Sequence, residues 1–331
     1  MNDRMKIKKN FSGILILALL ICWVTSGAAF AAGITRISFA SSGVGATFHV
    51  MVGGLAPYAS QHLKDIEVTA EATRGSVENV RLIKSKKSEM AFVAGTIVYM
   101  SSHMMGPFKK NKETFPELRS VSSVYVGIHH WVTLAKSGIR TMKDLKGKTI
   151  CVGPSGSAVA AASKRNLQML GINKQVKVRH LGWAEAATAL KDGNVDVFAA
   201  MSALPVPAVI DVASTHKIRI LPVDPQLMQK LIAGNPANFL TKIPANTYQG
   251  VNEDIPVSGY NAFWLTHKDI SPDVVYKLLK FTYKPSSRKF LENVHPGWKM
   301  LEPGIEKMTK LMGVPLHPGA ERYYREVGIL K

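Results

Sequence analysis

The 331-residue chain is 46% apolar and carries a formal net charge of +19, long enough for two ordinary domains with full cores. Its lysines are dispersed and accompany neither a nucleic-acid recognition pattern nor an aromatic-rich platform, which excludes nucleic acid as the partner. The positive field is left to steer small anions, acidic proteins or lipid headgroups.

The chain opens with Arg4, Lys6, Lys8 and Lys9, then an apolar run from Phe11 to Val24, then Ala29-Phe30-Ala31. That is the pattern of a cleaved secretory signal peptide over residues 1–31. About fourteen apolar residues fall short of the roughly twenty that a spanning helix needs. Cys22 invites a lipoprotein reading, but Ile21 stands where that processing wants a small residue. Cleavage near Ala31 predicts a soluble periplasmic protein that has lost Arg4, Lys6, Lys8, Lys9 and Asp3, and so three units of net charge. Cys151 is then the one cysteine, which rules out an intramolecular disulfide and suits a small buried hydrophobe.

Beyond the signal, Ile34–Ala40 alternates like a strand, Ser41–Thr47 is a polar glycine loop, and Phe48–His62 reads as a helix. A strand over Glu67–Thr73, a loop at Arg74–Ser76, a helix over Val77–Lys84 and a strand over Met90–Ala94 ending in Gly95-Thr96 complete a first βαβαβ unit. Met104–Pro116 reads as a loop, and Ser120–Leu134 as a long apolar strand crossing to a second lobe.

The same unit then recurs. Lys148–Val152 is a short buried strand, Gly153-Pro-Ser-Gly-Ser157 a tight polar loop, and Ala158–Leu170 a helix. A strand over Val176–Leu181, a helix over Trp183–Leu190 and a strand over Val195–Ala200 follow. Ser85–Ala94 and Lys191–Ala200 align as charged helix ends running into apolar strands. Ile218–Val223 is strand-like, Gln226–Ala233 helical, and Asn235–Asn246 a Pro- and Asn-rich stretch. Val257–Thr266 is a second crossing strand. Ser271-Pro272 starts a helix; further helices are expected over Lys277–Asn293 and Ile305–Met312.

Two such units predict two α/β lobes: 32–128 with 258–331, and 129–257. Ligands of such sheets sit outside the carboxyl ends of the strands, where helix N-termini favour anions. The candidate pocket residues are therefore Ser42, Thr47, Arg74, Ser76, Thr96, Ser155 and Ser157, with His130 from the crossing strand. Hydroxyls and helix-start N–H groups would bind the anion, and Arg74 would supply charge. Competing readings are simpler: Ser155 or Ser157 as a helix cap, Arg74 as a solvated side chain, and His129-His130-Trp131 as core.

Other chemistry matches less well. Gly43-Val-Gly45 begins a dinucleotide fingerprint, but Phe48 stands where its third glycine belongs. Gly153-Pro-Ser155-Gly-Ser157 resembles a nucleophile elbow with a serine in place of the last glycine and no assignable His/Asp partners. No metal-ligand spacing is present, and no metal, cofactor or catalytic residue is predicted.

Taken in order, Thr73-Arg-Gly-Ser-Val-Glu-Asn79, Ser137-Gly-Ile with Asp144-Leu-Lys-Gly-Lys148, Gly153–Ser157, Ala189–Asp196 and His317–Gly328 resemble the TAXI family of solute receptors for TRAP transporters. The resemblance runs from about Ile34 to the C-terminus. It implies a two-lobed, type II periplasmic binding protein with mixed sheets and an interlobe cleft. It also implies a small organic anion (a dicarboxylate, 2-oxoglutarate or glutamate) delivered to TRAP permease membrane subunits, and a monomer is expected. The family has Thr-Gly-Gly-Ser where this chain has Thr73-Arg74-Gly75-Ser76. It has a further threonine where this chain has Val159, and Gln-Ser-Asp where this chain has Ala94-Gly95-Thr96. An added arginine and a missing aspartate tilt the expected ligand towards a carboxylate without an amine. An ABC-importer receptor and a secreted hydrolase using Ser155 remain the alternatives.

Overall fold

Short apolar strands, each ending in a small-residue loop and a helix start, set the architecture. The computed structural model describes residues 33–110 and 112–331; the signal peptide expected over 1–31 lies outside the described residues. β1 (Thr35–Ala40), α1 (Thr47–His62), β2 (Ile66–Glu71), α2 (Ser76–Lys84) and β3 (Met90–Ala94) form the first unit. α3 (Gly95–Ser102) and the long strand β4 (Leu118–Leu134) follow. The second unit is β5 (Thr149–Cys151), α4 (Ala158–Met169), β6 (Lys177–Arg179), α5 (Trp183–Lys191) and β7 (Val197–Ser202). Next come α6 (Pro207–Thr215), β8 (Ile218–Ile220), α7 (Pro225–Gly234), β9 (Phe239–Ile243) and β10 (Ile255–His267). The chain ends in α8 (Pro272–Tyr283), α9 (Pro285–Val294) and α10 (Pro318–Glu326).

The strands join in the order β2-β1-β3-β10-β4-β7-β5-β6, with β8 added to β4 and β9 to β10. The two ends mirror each other. β1 is parallel to β3 and β5 to β7, and each set is closed by a long antiparallel strand, β10 on β3 and β4 on β7. β4 and β10 pair with each other from Leu118/His267 to Ile128/Gly259, so both units hang on one central ribbon. Every residue of β10 except Pro256 is buried, as expected of a strand covered on both faces. Where the ribbon passes between the units, Gly127 lies opposite Tyr260. A Cβ at Gly127 would run into the Tyr260 ring, so glycine is what lets that ring lie across β4.

The cores do not divide by unit: the larger one runs from the first unit into the second, where it takes in Ile150, Val159, Leu167 and Val197. Phe39, Phe92, Trp264 and Trp298 anchor this core, with Phe39 and Phe92 edge-to-face at 4.9 Å. Phe198, Val209, Tyr248 and the fully buried Cys151 belong to the other. Each such apolar side chain contributes about 1.5–3 kcal/mol on burial.

Several local expectations change. The helix expected over Lys277–Asn293 is two helices, because Pro285 has no N–H to continue α8 and instead starts α9. Gly95-Thr96 opens α3 rather than a loop. Within the Pro- and Asn-rich stretch Asn235–Asn246, Phe239–Ile243 is strand β9, held by pairing along β10. The helix expected over Ile305–Met312 is present over 305–311, wound as a π-helix from Lys307 to Leu311.

Candidate functional site

The loops at the carboxyl ends of β1, β2 and β3 are tied together by Asn79, which is fully buried. Its amide donates to the carbonyls of Ser41 (2.8 Å) and Phe92 (2.9 Å), and its Oδ1 accepts from Thr73 Oγ1 at 2.7 Å. Thr73 Oγ1 also accepts from the N–H of Gly75 at 3.0 Å, and Gly75 sits at φ +109°, a conformation that favours glycine. Ser76 Oγ accepts from the N–H of Ala94 at 3.0 Å. In the second unit, Ser157 caps α4: its Oγ accepts from Ala160 N–H at 3.1 Å and donates to Pro154 O at 2.6 Å.

Among the described residues, three hydrogen bonds cross between the two halves of the molecule near these ends. Thr47 Oγ1 bonds Ser202 Oγ, Glu78 N–H donates to Gly156 O at 3.3 Å, and Asn235 Nδ2 donates to Thr96 O at 2.9 Å. Between them lies a cavity of ≈ 40 Å³. Ser42, Thr47, Arg74, Ser76, Ser157 and Ser202 border it from the loops and strand ends; Tyr125 of β4, Tyr260 of β10 and Trp183 of α5 close it.

The lining is polar in a particular way. Ser42 Oγ is buried without a hydrogen-bond partner, a state that costs about 1–3 kcal/mol and that a bound polar group would offset. Burial, and Tyr260 beside it, push the Tyr125 phenol well up; burial raises Tyr260 as well. Both phenols are therefore neutral donors, and Tyr125 interacts with the hydroxyls of Tyr260 and Ser202. Among the described residues no aspartate or glutamate borders the cavity. Neutral hydroxyl donors and one guanidinium suit an anion.

The structure brings Ser42, Thr47, Arg74, Ser76 and Ser157 to this one cavity. Ser155 is exposed and borders a larger outer groove, which Arg74 and Ser157 share. Thr96 borders a separate cavity of ≈ 10 Å³ beside His129 and Arg165, and its Oγ1 is buried without a partner. His130 is fully buried in the second core and borders none of these cavities. Its Nδ1–H reaches Ile128 O at 3.1 Å, and its Nε2 meets Tyr248 OH at 3.0 Å. That hydroxyl accepts from Val206 N–H at 2.9 Å, so one tautomer satisfies the whole set. Burial lowers the His130 pKa to about 4, and burial together with the charge of His130 lowers His129 to about 3.

Sequence reasoning missed Tyr125, Tyr260 and Ser202. Tyr125 and Tyr260 sit in strands that read as core, and the signal for them was the pair of glycines, Gly127 and Gly259, inside otherwise bulky crossing strands. Ser202 lies just past the expected strand Val195–Ala200, at a strand end expected to face the cleft, and was not singled out there. Among the described residues no group of three or more His, Cys, Asp or Glu is placed to hold a metal ion. No described helix is long and apolar enough to cross a membrane.

Residues 39–328 match the NMT1-like family along almost the whole described chain. The chain belongs to the NMT1-like family. This corrects the TAXI and TRAP assignment drawn from the ordered motifs. Those motifs are glycine- and serine-rich strand ends and helix starts, which any α/β unit of this kind requires, so they report the fold rather than the transporter it serves. A Bordetella bronchiseptica protein of known structure is 14% identical with TM-score 0.52, over 90% of this chain and 90% of its own. A Xanthomonas citri protein bound to chloride ion is 9% identical with TM-score 0.50, over 88% and 99%. The alkanesulfonate-binding protein of Xanthomonas axonopodis pv. citri, bound to MOPS, is 16% identical with TM-score 0.48, over 88% and 84%. The mixed α/β fold is shared with the Bordetella bronchiseptica and Xanthomonas citri structures.

Proposed function

We propose that this NMT1-like protein is an extracytoplasmic solute receptor, not an enzyme, that closes its lobes on a small organic anion and hands it to an ABC-type importer. The observation that carries the proposal is the lining of the interlobe cavity. It combines an unpaired Ser42 hydroxyl, two neutral tyrosine hydroxyls and Arg74, with no carboxylate among the described residues. A cationic or ammonium-bearing solute would have no counter-charge there. A carboxylate or a sulfonate head would find donors on several sides. Membership of the NMT1-like family supports the importer reading.

The lobes, divided at 128/129 and 257/258, swing about β4 and β10, and the ligand stabilises the closed form by its differential affinity for it. Thr47–Ser202 and Glu78–Gly156 are the contacts that closure makes. The hydrolase alternative lacks a base: among the described residues Ser155 makes no hydrogen bond to a histidine or carboxylate.

The test is a thermal-shift panel on protein unfolded and refolded to strip carried-over ligand. Small carboxylates, small sulfonates, amino acids and cationic solutes form its arms. A ligand at 100 times its Kd adds about 2.7 kcal/mol, a rise of a few degrees for a chain of this size. The reading expects that rise in a carboxylate or sulfonate arm, and the responding arm names the head group. A rise confined to cationic or neutral solutes would overturn it.

A further inference from the structure

We propose a second anion site, outside the interlobe cavity, that takes an amphipathic organic anion. The groove lies between α2 and the turn at Pro107 on one unit and α4 and β6 on the other, with a volume of ≈ 640 Å³. Its cationic groups are Arg74, Arg81 and Lys164, and no aspartate or glutamate lines it among the described residues. Arg81 is held by Glu113 through two bonds of 2.8 Å and so acts as wall. Arg74 and Lys164, one from each unit, make no ion pair among the described residues. His180 Nδ1 donates to Gly153 O at 3.0 Å, which holds its ring against the groove wall.

Two unpaired cations brought together by contact between the units repel one another, and an anion seated between them reverses the sign of that interaction. The rest of the groove is apolar. Val77, Val152, Ala161 and Leu167 form its floor, and Val178 is 43% exposed at its edge. Lys164, Pro107, Ala161 and Gln168 also border an adjoining depression of ≈ 850 Å³, whose walls carry Met100, Met104, Met105 and Met169. Methionine side chains adapt to varied apolar shapes. An anionic head at Arg74 and Lys164 with an aliphatic tail laid along the methionines fits both the charge and the length of this surface.

This inference stands on different residues from the interlobe cavity, Arg74 and Ser157 excepted, and its test does not need that cavity's ligand. Octanoate, octylammonium and acetate are titrated calorimetrically into the protein, Lys164→Glu and Met104→Asp. Met104 is exposed and at φ +50°, where aspartate is tolerated, and melting curves check that both variants fold. Octanoate is expected to bind the parent protein and to weaken at least tenfold in each variant, with no binding of octylammonium or acetate. Equal binding of octanoate and octylammonium would overturn the proposal, as would an octanoate affinity that stays within twofold in Lys164→Glu. A Ser42→Ala variant separates the two sites: loss of octanoate binding there alone would put the ligand in the interlobe cavity and sink the outer site.

Discussion

The two strand–loop–helix units that face each other across the cavity use their hydroxyls in opposite ways. After β5, Ser157 turns inward on its own helix, bonded to Ala160 N–H and Pro154 O. After β1, the residue before α1 is Ala46, with no side-chain cap, and Ser42 Oγ is left buried and unpaired. One loop is finished by itself, and the other is complete only with something bound. Loops alike in composition thus differ in role, and what decides is whether the hydroxyl sits at the N-cap position or four residues upstream of it.

Acid gives the largest effect with which to press on this asymmetry, because it loads the ribbon that carries both loops. His129 and His130 on β4 are held neutral by burial, down to about 3 and about 4. Their folded pKa lies below the unfolded value near 6.5, so their contribution to stability is complete above pH 6.5. It is lost as pH falls from there towards 4, because only the unfolded chain takes up protons in that window. Each histidine costs about 1.4 kcal/mol per pH unit there; His317, at the start of α10 and lowered to about 4 by burial, adds to the loss. Chemical denaturation at pH 7, 5.5 and 4.5 should show the decline. His130→Phe should flatten the slope while leaving ligand affinity unchanged at pH 7; an affinity drop of tenfold would return His130 to the site.

The ribbon itself is the next lever. Gly127→Val drives a side chain into the Tyr260 ring, an overpacking that costs about 1–3 kcal/mol. A melting point within a degree of the parent would mean that Tyr260 leaves the cavity freely, and that the closed wall described above is one of several arrangements.

How much of this was legible in the sequence divides along the same line. The two βαβαβ units, the crossing strands and most element bounds followed from alternation, glycine loops and helix starts, because those are local properties of the chain. Asn79 stood inside the motif Thr73–Asn79, but its partners, the carbonyls of Ser41 and Phe92, are brought to it by the sheet. His130 read as a ligand neighbour because a crossing strand passes the cavity; the pleat turns it away, into contact with Tyr248. Thr96 was assigned by its place after β3, and the helix that begins at Gly95 carries it to a different cavity. Which face a strand residue presents, and whether a hydroxyl is already satisfied, depend on neighbours far away in sequence.

The smallest effects test the comparison most directly. Ser157→Ala removes a helix cap, which costs about 1 kcal/mol, and should lower the melting point by a few degrees with little change in affinity. Ser42→Ala removes a buried hydroxyl that has no partner in the ligand-free protein, so stability should hold or rise slightly. Its affinity for the responding anion should fall about tenfold, the effect of one lost hydrogen bond to a charged group. The two alanines thus exchange readouts: one moves stability alone, the other binding alone. If Ser42→Ala destabilised the free protein while binding stayed intact, the unpaired hydroxyl would have a structural partner, and the asymmetry between the loops would vanish. If Ser157→Ala weakened binding tenfold, the cap would open towards the ligand on closure, and both loops would belong to the site on equal terms.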